Sequence, residues 1–234
     1  MSRAAELAAN LAAVRERIAI AEAAVGRTSG EVQLLPVTKF HPASDLAELI
    51  RLGVSDVAEN REQEAREKAA SCPAARIHMV GQIQTKKANS VARWAACVHS
   101  VDSLKLVQAL DRAMGLAIER GDRQSEPLPC FIQLSLDGDV TRGGIEVEGV
   151  EKLAAAMEES SHLRLSGVMC VPPKGWDPAE AFLQAAAVRS RLEGAFGRSM
   201  EFSAGMSGDL ETAISCGSTI VRVGTAILGT RQLR

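Results

Sequence analysis

The sequence predicts a single (β/α)8 TIM barrel with an extra N-terminal helix. Eight short apolar runs alternate with helix-forming stretches over 234 residues, matching an eight-stranded α/β barrel in size and order. An open doubly wound sheet is the rival. It needs no eighth strand, and Lys39, Phe40, His41 and Pro42 stand where its first glycine-rich turn would fall. The chemically capable residues also cluster just after the strand candidates, at the rim where barrels carry their sites.

Residues 2–25 read as one amphipathic helix. Leu7, Leu11, Val14, Ile18, Ala21 and Val25 recur at helical spacing, Ser2 can cap the start, and Gly26 can end it. The strands are expected at 32–39, 56–60, 76–83, 97–102, 130–136, 164–171, 201–206 and 219–225. Helices are expected between them at 44–52, 61–70, 85–94, 103–120, 147–160, 178–196 and 209–216, with Asp102/Ser103 capping the fourth of these. Residues 121–129 read as a polar loop rather than a domain boundary, so 1–234 is expected to form one domain.

Composition narrows the function classes. At 46% hydrophobic the chain can bury one substantial core, and a net charge of −2 gives no long-range attraction to nucleic acid or anionic membrane. Two Trp, five Phe and no Tyr leave few platforms for stacked bases. No apolar run reaches membrane-spanning length, and Arg3, Glu6, Arg15 and Glu16 make the N-terminus unlike a secretory or transit segment. Five widely spaced cysteines without a CxxC read as reduced, buried, inert thiols, and the expected location is cytoplasmic.

Lys39 is the most informative residue. A lysine closing an apolar strand is a poor packing choice, and an amine partly withdrawn from water there is a nucleophile toward aldehydes. The plain alternative is a surface lysine that merely ends a strand. Near the other end of the chain, Ser207-Gly208-Asp209 opens a helix whose free N–H groups attract an anion. Gly224 and Thr225 allow close backbone approach and add a hydroxyl. These turns follow strands seven and eight, a common phosphate position in barrels, and strand eight neighbours strand one on closure.

An aldehyde-reactive lysine facing a phosphate cradle suggests pyridoxal phosphate (PLP). A Schiff-base aldolase of phosphorylated sugars would use the same pair without a cofactor. Arg222 shares Gly224's face of its strand. Pointing inward, it can only donate, so a pyridine nitrogen facing it would stay unprotonated and the ring would be a weaker electron sink. Pairing with a core or rim carboxylate is the alternative. His41, His78, His99 and His162 show no metal-ligand spacing, so no metal site is expected, and His78 reads as a buried, hydrogen-bonded residue. Glu59, Glu62 and Glu64 read as carboxylates near a helix start.

The motifs PVTK (36–39), AENREQE (58–64), IHMVGQIQTK (77–86), HSVDS (99–103), GVM (167–169), GMSGD (205–209) and GSTIVRVGT (217–225) occur in this order. Together they resemble the YggS/PROSC family of PLP-binding homeostasis proteins over nearly the whole chain. The resemblance implies a barrel like the N-terminal domain of bacterial alanine racemase, with PLP held on Lys39 as a covalent aldimine. It implies phosphate contacts from Ser207, Gly224 and Thr225, a pyridine-nitrogen contact from Arg222, and ring contacts from Asn60 and Met206. Phe40-His41, Ala58 and Ile77 depart from the family's commoner residues.

The implied role is intracellular PLP (vitamin B6) and amino-acid homeostasis by a monomer, with PLP-dependent apoenzymes as candidate recipients. An amino-acid racemase is the alternative, and it needs an acid/base group on each face of its intermediate. Lys39 could serve one face. With no tyrosine and a chain ending at Arg234, no group for the other face is evident, so weak catalysis at most is expected.

Overall fold

Alternation along each strand sends one side chain inward and the next outward, which divides the molecule into a lumen and an outer layer. The computed structural model describes residues 2–230. Met1 and residues 231–234, including Arg234 on which one expectation leaned, lie outside the described residues.

The eight strands are β1 (Gln33–Pro36), β2 (Asp56–Glu59), β3 (Arg76–Met79), β4 (Ala95–Val101), β5 (Leu128–Gln133), β6 (Leu163–Met169), β7 (Glu201–Ser203) and β8 (Ile220–Val223). All pair in parallel in the order β1-β8-β7-β6-β5-β4-β3-β2. The ring closes between its two ends, where Val37 bridges Ala58 and Thr38 N–H donates to Ala58 O at 3.0 Å. That closure excludes the open doubly wound sheet.

Inside the ring Leu35, Val37, Ala58, Cys97, Phe131, Met169 and Ile220 form one packed cluster. The outward residues are covered by α2 (Ala43–Arg51), α3 (Glu62–Ser71), α4 (Ala88–Trp94), α5 (Leu104–Glu119), α6 (Val150–Glu158), α7 (Pro178–Phe196) and α8 (Leu210–Ser215), with a short α9 (Thr225–Leu228) at the end. Each fully buried Leu, Ile or Phe in this layer contributes about 1.5–3 kcal/mol.

The extra helix is α1 (Arg3–Ala24), capped by Ser2. Leu7, Leu11, Val14, Ile18 and Ala21 form its buried stripe, whereas Val25, expected to join them, is 41% exposed because the helix has already ended. Gly26 turns the chain there at φ 72°. Arg3 binds Asp45 at 2.6 Å, Asn10 Nδ2 donates to Ile227 O at 2.9 Å, and Arg17 binds Glu211 at 2.7 Å, so α1 clamps α2, α9 and α8 together.

Most expected strands run past their observed C-terminal ends, β1 by three residues and β3 by four, counting 36 against 39 and 79 against 83. Single backbone bonds continue there, such as Val37 N–H to Val223 O at 2.9 Å and Val80 N–H to Glu59 O at 3.0 Å, but the regular ladder has ended. Three further differences share the theme of tight local turns. Residues 85–94 split into a 3₁₀ turn (Thr85–Lys87) and α4, 147–160 split likewise (Val147–Gly149, then α6), and Thr225 opens α9 instead of ending β8. The loop expected at 121–129 ends earlier, since Leu128 and Pro129 already pair with β6.

Cys97, Cys130 and Cys170 are buried, and none of the five cysteines is bridged. Burial pushes the thiols of Cys130 and Cys170 up to about 12, which leaves them protonated and inert. Among the described residues no helix is long and apolar enough to cross a membrane.

Candidate functional site

Lys39 does not close the strand as expected but lies in the turn after β1, two residues beyond Val37 of the lumen cluster, at the C-terminal mouth of the barrel. The backbone on either side of it is tied down. Thr38 donates its N–H to Ala58, its carbonyl accepts from Lys68 Nζ at 2.7 Å, and its hydroxyl donates to Glu59 Oε1. Phe40 N–H donates to Glu64 Oε1 at 2.6 Å, and Phe40 holds a left-handed φ of 68°. A non-glycine residue in that region costs about 1–2 kcal/mol, so the surrounding bonds hold the turn in place. Between these anchors the Lys39 side chain is half-buried and has no hydrogen-bond or ion-pair partner among the described residues.

Lys68 is the hub of the anchoring. It is 4% exposed, bonds Glu59 Oε1 at 2.6 Å and Glu64 Oε1 at 2.8 Å, and connects β2 and α3 to the residues flanking Lys39. Glu62 and Glu64 do lie in the first turn of α3, as expected, but Glu59 is a fully buried β2 residue. Burial raises its carboxyl above the usual range, against the opposing pull of Lys68.

The two expected phosphate turns meet. Thr225 Oγ1 lies 3.1 Å from Ser207 Oγ, and Ala226 N–H points at the same oxygen from 3.4 Å. Arg17 of α1 donates to Ser207 O at 3.1 Å and steadies this turn. A Cβ on Gly224 would stand 3.3 Å from Val37 O, so the cradle lies against the strand leading to Lys39. Gly205, at φ 93°, lets β7 turn tightly onto α8; a Cβ there would come within 2.6 Å of Ala213 Cβ. The helix start differs in detail from expectation. Asp209 caps α8 by position, yet its carboxylate accepts from Met206 N–H rather than from the helix.

Arg222 points into the lumen and is 4% exposed. It donates to Ser203 Oγ at 2.7 Å and to Cys170 O at 2.9 Å, both neutral acceptors, and has no carboxylate partner among the described residues. Burial pulls its pKa down to about 10, so it remains a cation at neutral pH. Asn60 follows β2 and borders a cavity of about 270 Å³ with Gly81, Gln133, Arg142 and Met169. Gly81 is obligatory there, since a Cβ would fall 2.0 Å from Asn60 O. Met206 stands outside, 38% exposed on the rim.

The structure thus brings Lys39, Ser207, Gly224, Thr225 and Arg222 to one edge of the mouth, with Asn60 on the adjoining β2 side. Three groups escaped sequence reasoning: the Glu59–Lys68–Glu64 network, the Arg17 contact, and a buried polar row of His78, His99 and Ser203. The sequence shows no Cys/His spacing, yet the fold brings donor atoms of His78, Cys97 and His99 within 4.8 Å of one another. The two imidazoles are joined by a hydrogen bond of 3.0 Å, and burial raises the Cys97 thiol well above its usual pKa.

His78 also bonds Asp56 at 2.9 Å. Burial alone would raise the Asp56 carboxyl, but bonds from His78, Ser55 and Arg76 outweigh it and hold the group well below the usual carboxylate range. A depressed native pKa stabilises the fold above the ordinary carboxylate pKa of about 4 and loses that contribution as pH falls below it. Asp56→Asn is therefore expected to lower urea stability at pH 7 and to do so by less at pH 3, with the two proteins converging only below the depressed native pKa. A stability gap that is the same at both pH values would show that the Asp56 charge is not the stabilising feature.

A (β/α)8 barrel with a rim lysine after β1 and polar turns after β7 and β8 defines a class, and comparison gives it a name: the family described as "Alanine racemase, N-terminal domain" matches residues 9–232. Within that class the chain belongs to the pyridoxal phosphate homeostasis protein family. It is 62% identical over 207 residues to the pyridoxal phosphate homeostasis protein of Corynebacterium glutamicum, covering 88% of this chain and 94% of that protein. It is 33% identical over 235 residues to the protein of that name in Escherichia coli, covering 97% of each. Among solved structures it is similar to PipY of Synechococcus elongatus with PLP bound, at a TM-score of 0.80 and 30% identity, over 95% of this chain and all (100%) of that one.

Proposed function

We propose that the chain binds PLP covalently through Lys39 and acts, as a monomer, as an intracellular reservoir that exchanges it with PLP-dependent apoenzymes. The observation that carries this reading is the Lys39 amine, without a partner among the described residues, in the turn after β1, whose neighbour β8 carries the buried Arg222 and leads to the Ser207–Thr225 hydroxyl pair. These residues fit the three polar parts of the cofactor. The amine suits an aldehyde, and the hydroxyls with the first N–H groups of α9 suit a phosphate dianion. Arg222 suits an acceptor ring nitrogen. When bound, the cofactor supplies an aldehyde that condenses with an amine, losing water, and a ring that draws electrons.

Arg222 holds its proton at pKa about 10 and only donates hydrogen bonds, so it keeps a facing nitrogen as an acceptor. Asn60 and Met206, which border the mouth, are the proposed ring contacts. Phe40 and Met206 are 40% and 38% exposed at the rim, and Thr225 is exposed beside them, an openness that suits exchange more than sequestered chemistry. The names of the homologues support the homeostatic role.

Borohydride reduction, digestion and mass mapping test the assignment. A pyridoxyl group is expected on Lys39 and on no residue of Lys39→Ala. Label that persists in the variant would refute the reading. Loss of the alanine α-hydrogen is expected to stay far below ordinary enzyme rates, on the order of 10 per second, because a tyrosine-free chain offers no phenol to act opposite Lys39. Racemisation at such rates would replace the reservoir by an enzyme.

A further inference from the structure

Behind Arg222 a line of hydrogen bonds crosses the barrel interior. Ser203 Oγ, which accepts from Arg222 Nη1, lies 2.9 Å from His99 Nδ1. His99 Nε2 lies 3.0 Å from His78 Nδ1, and His78 Nε2 lies 2.9 Å from Asp56 Oδ1. Asp56 is the first residue of β2, at the opposite end of the strands from Lys39, where Arg76 and Ser55 also donate to it.

The two ends fix the direction of every bond between them. Arginine only donates, so Ser203 Oγ accepts from Arg222 and its own hydrogen goes to its remaining partner, His99 Nδ1. His99 is fully buried, and burial, with His78 and Arg222 nearby, holds its pKa well below the usual value. A neutral His99 that accepts at Nδ1 carries its hydrogen on Nε2 and donates it to His78 Nδ1. His78 then presents Nε2–H to the Asp56 carboxylate, which only accepts. The reverse pattern would leave the Ser203 hydroxyl hydrogen without an acceptor. His99 is also held flat against Phe131, with ring centroids 4.3 Å apart at an interplanar angle of 15°.

We propose that Asp56, His78, His99 and Ser203 are positioning residues, a one-way hydrogen-bond chain that holds Arg222 as a fixed donor to the ring nitrogen of the bound cofactor. The inference rests on the reading of Arg222 given above. The chain restrains the guanidinium through Nη1, while Cys170 O holds Nη2 at 2.9 Å. Every donor in the row points away from the mouth, so the row supports a hydrogen bond there and delivers no proton.

Two measurements test this. Proton–nitrogen correlation of the imidazoles in the full chain without added PLP is expected to show both His78 and His99 with the hydrogen on Nε2 and Nδ1 bare. A hydrogen on Nδ1 of either ring would overturn the chain. With PLP loaded, His99→Phe keeps the stack on Phe131 but removes both nitrogens. It is expected to displace the visible absorption band and weaken PLP binding about tenfold, the effect of one charge-assisted hydrogen bond. His99→Gln, with one donor and one acceptor, is expected to restore most of both. Ser203→Ala should reproduce His99→Phe and stands in for it if that variant fails to fold. Wild-type band and affinity in the folded variants would refute the positioning role. Lys39 labelling in the same samples separates the two levels: its loss in the unsubstituted protein refutes the cofactor reading, whereas label with unchanged spectra refutes only this inference.

Discussion

Lys68→Met is expected to lower the free energy of unfolding by about 3–5 kcal/mol, the usual cost of stripping one partner from a buried ion pair. The Lys68 side chain is 5% exposed and that of Glu59 0%, so neither charge has water to fall back on. Glu59 Oε2 already lacks a hydrogen-bond partner among the described residues. Without the ammonium, both Glu59 and Glu64 would face Thr38 and the Phe40 turn as uncompensated carboxylates. Glu59, whose carboxyl burial already raises, would then have to take up a proton to stay inside.

A second variant separates charge from packing. Lys68→Met with Glu59→Gln removes both sides of the pair and is expected to recover most of the loss, because replacing both partners costs far less than orphaning one. Urea unfolding of the two variants at pH 7 is the measurement. A single-variant loss below about 1 kcal/mol would place the network among weak, solvated pairs. Lys68 also holds the Thr38 carbonyl beside Lys39, and that bond is lost in both variants, so PLP affinity should fall in the single variant and stay reduced in the double even where stability recovers.

The barrel and the positions of its polar rim residues were legible because they depend on local pattern. A period of two assigns Leu35, Val37 and Lys39 to one face, and a lysine at the end of such a row stands out. The hydroxyls of Ser207 and Thr225 were legible for a similar reason, as glycine-flanked polar residues that follow strands. Lys68 was not. Residues 61–70 read as a helix with nothing to single out Lys68, and only the approach of α3 to the residues around Thr38 buries that lysine. The row behind Arg222 depends on parallel register, which sequence does not encode locally. His78 and His99 are 21 residues apart and meet because β3 and β4 slip in register after Ile77. Arg17 reaches Ser207 across 190 residues for the same reason: the N-terminal helix packs against the last strands and helices of the barrel.

Replacing both cradle hydroxyls, as Ser207→Ala with Thr225→Val, is expected to weaken PLP while sparing pyridoxal. A hydroxyl that bonds a charged group contributes about 1.5–3 kcal/mol, roughly one to two decades in Kd. The two oxygens lie 3.1 Å apart and would share one phosphate, so their effects should not add. The double variant should exceed either single loss and fall short of the sum. Thr225 is exposed and Ser207 half-buried, and neither packs in the core, so folding stability should change by less than about 0.5 kcal/mol. Pyridoxal is the control because it keeps the aldehyde and the ring nitrogen and lacks the phosphate. Lys39 and Arg222 are untouched, so its affinity should match that of the unsubstituted protein. Titration of the visible band with each ligand gives both constants. An unaltered PLP affinity would place the phosphate elsewhere on the rim, and a parallel loss of pyridoxal would mean that the two hydroxyls shape the site as a whole rather than read the phosphate.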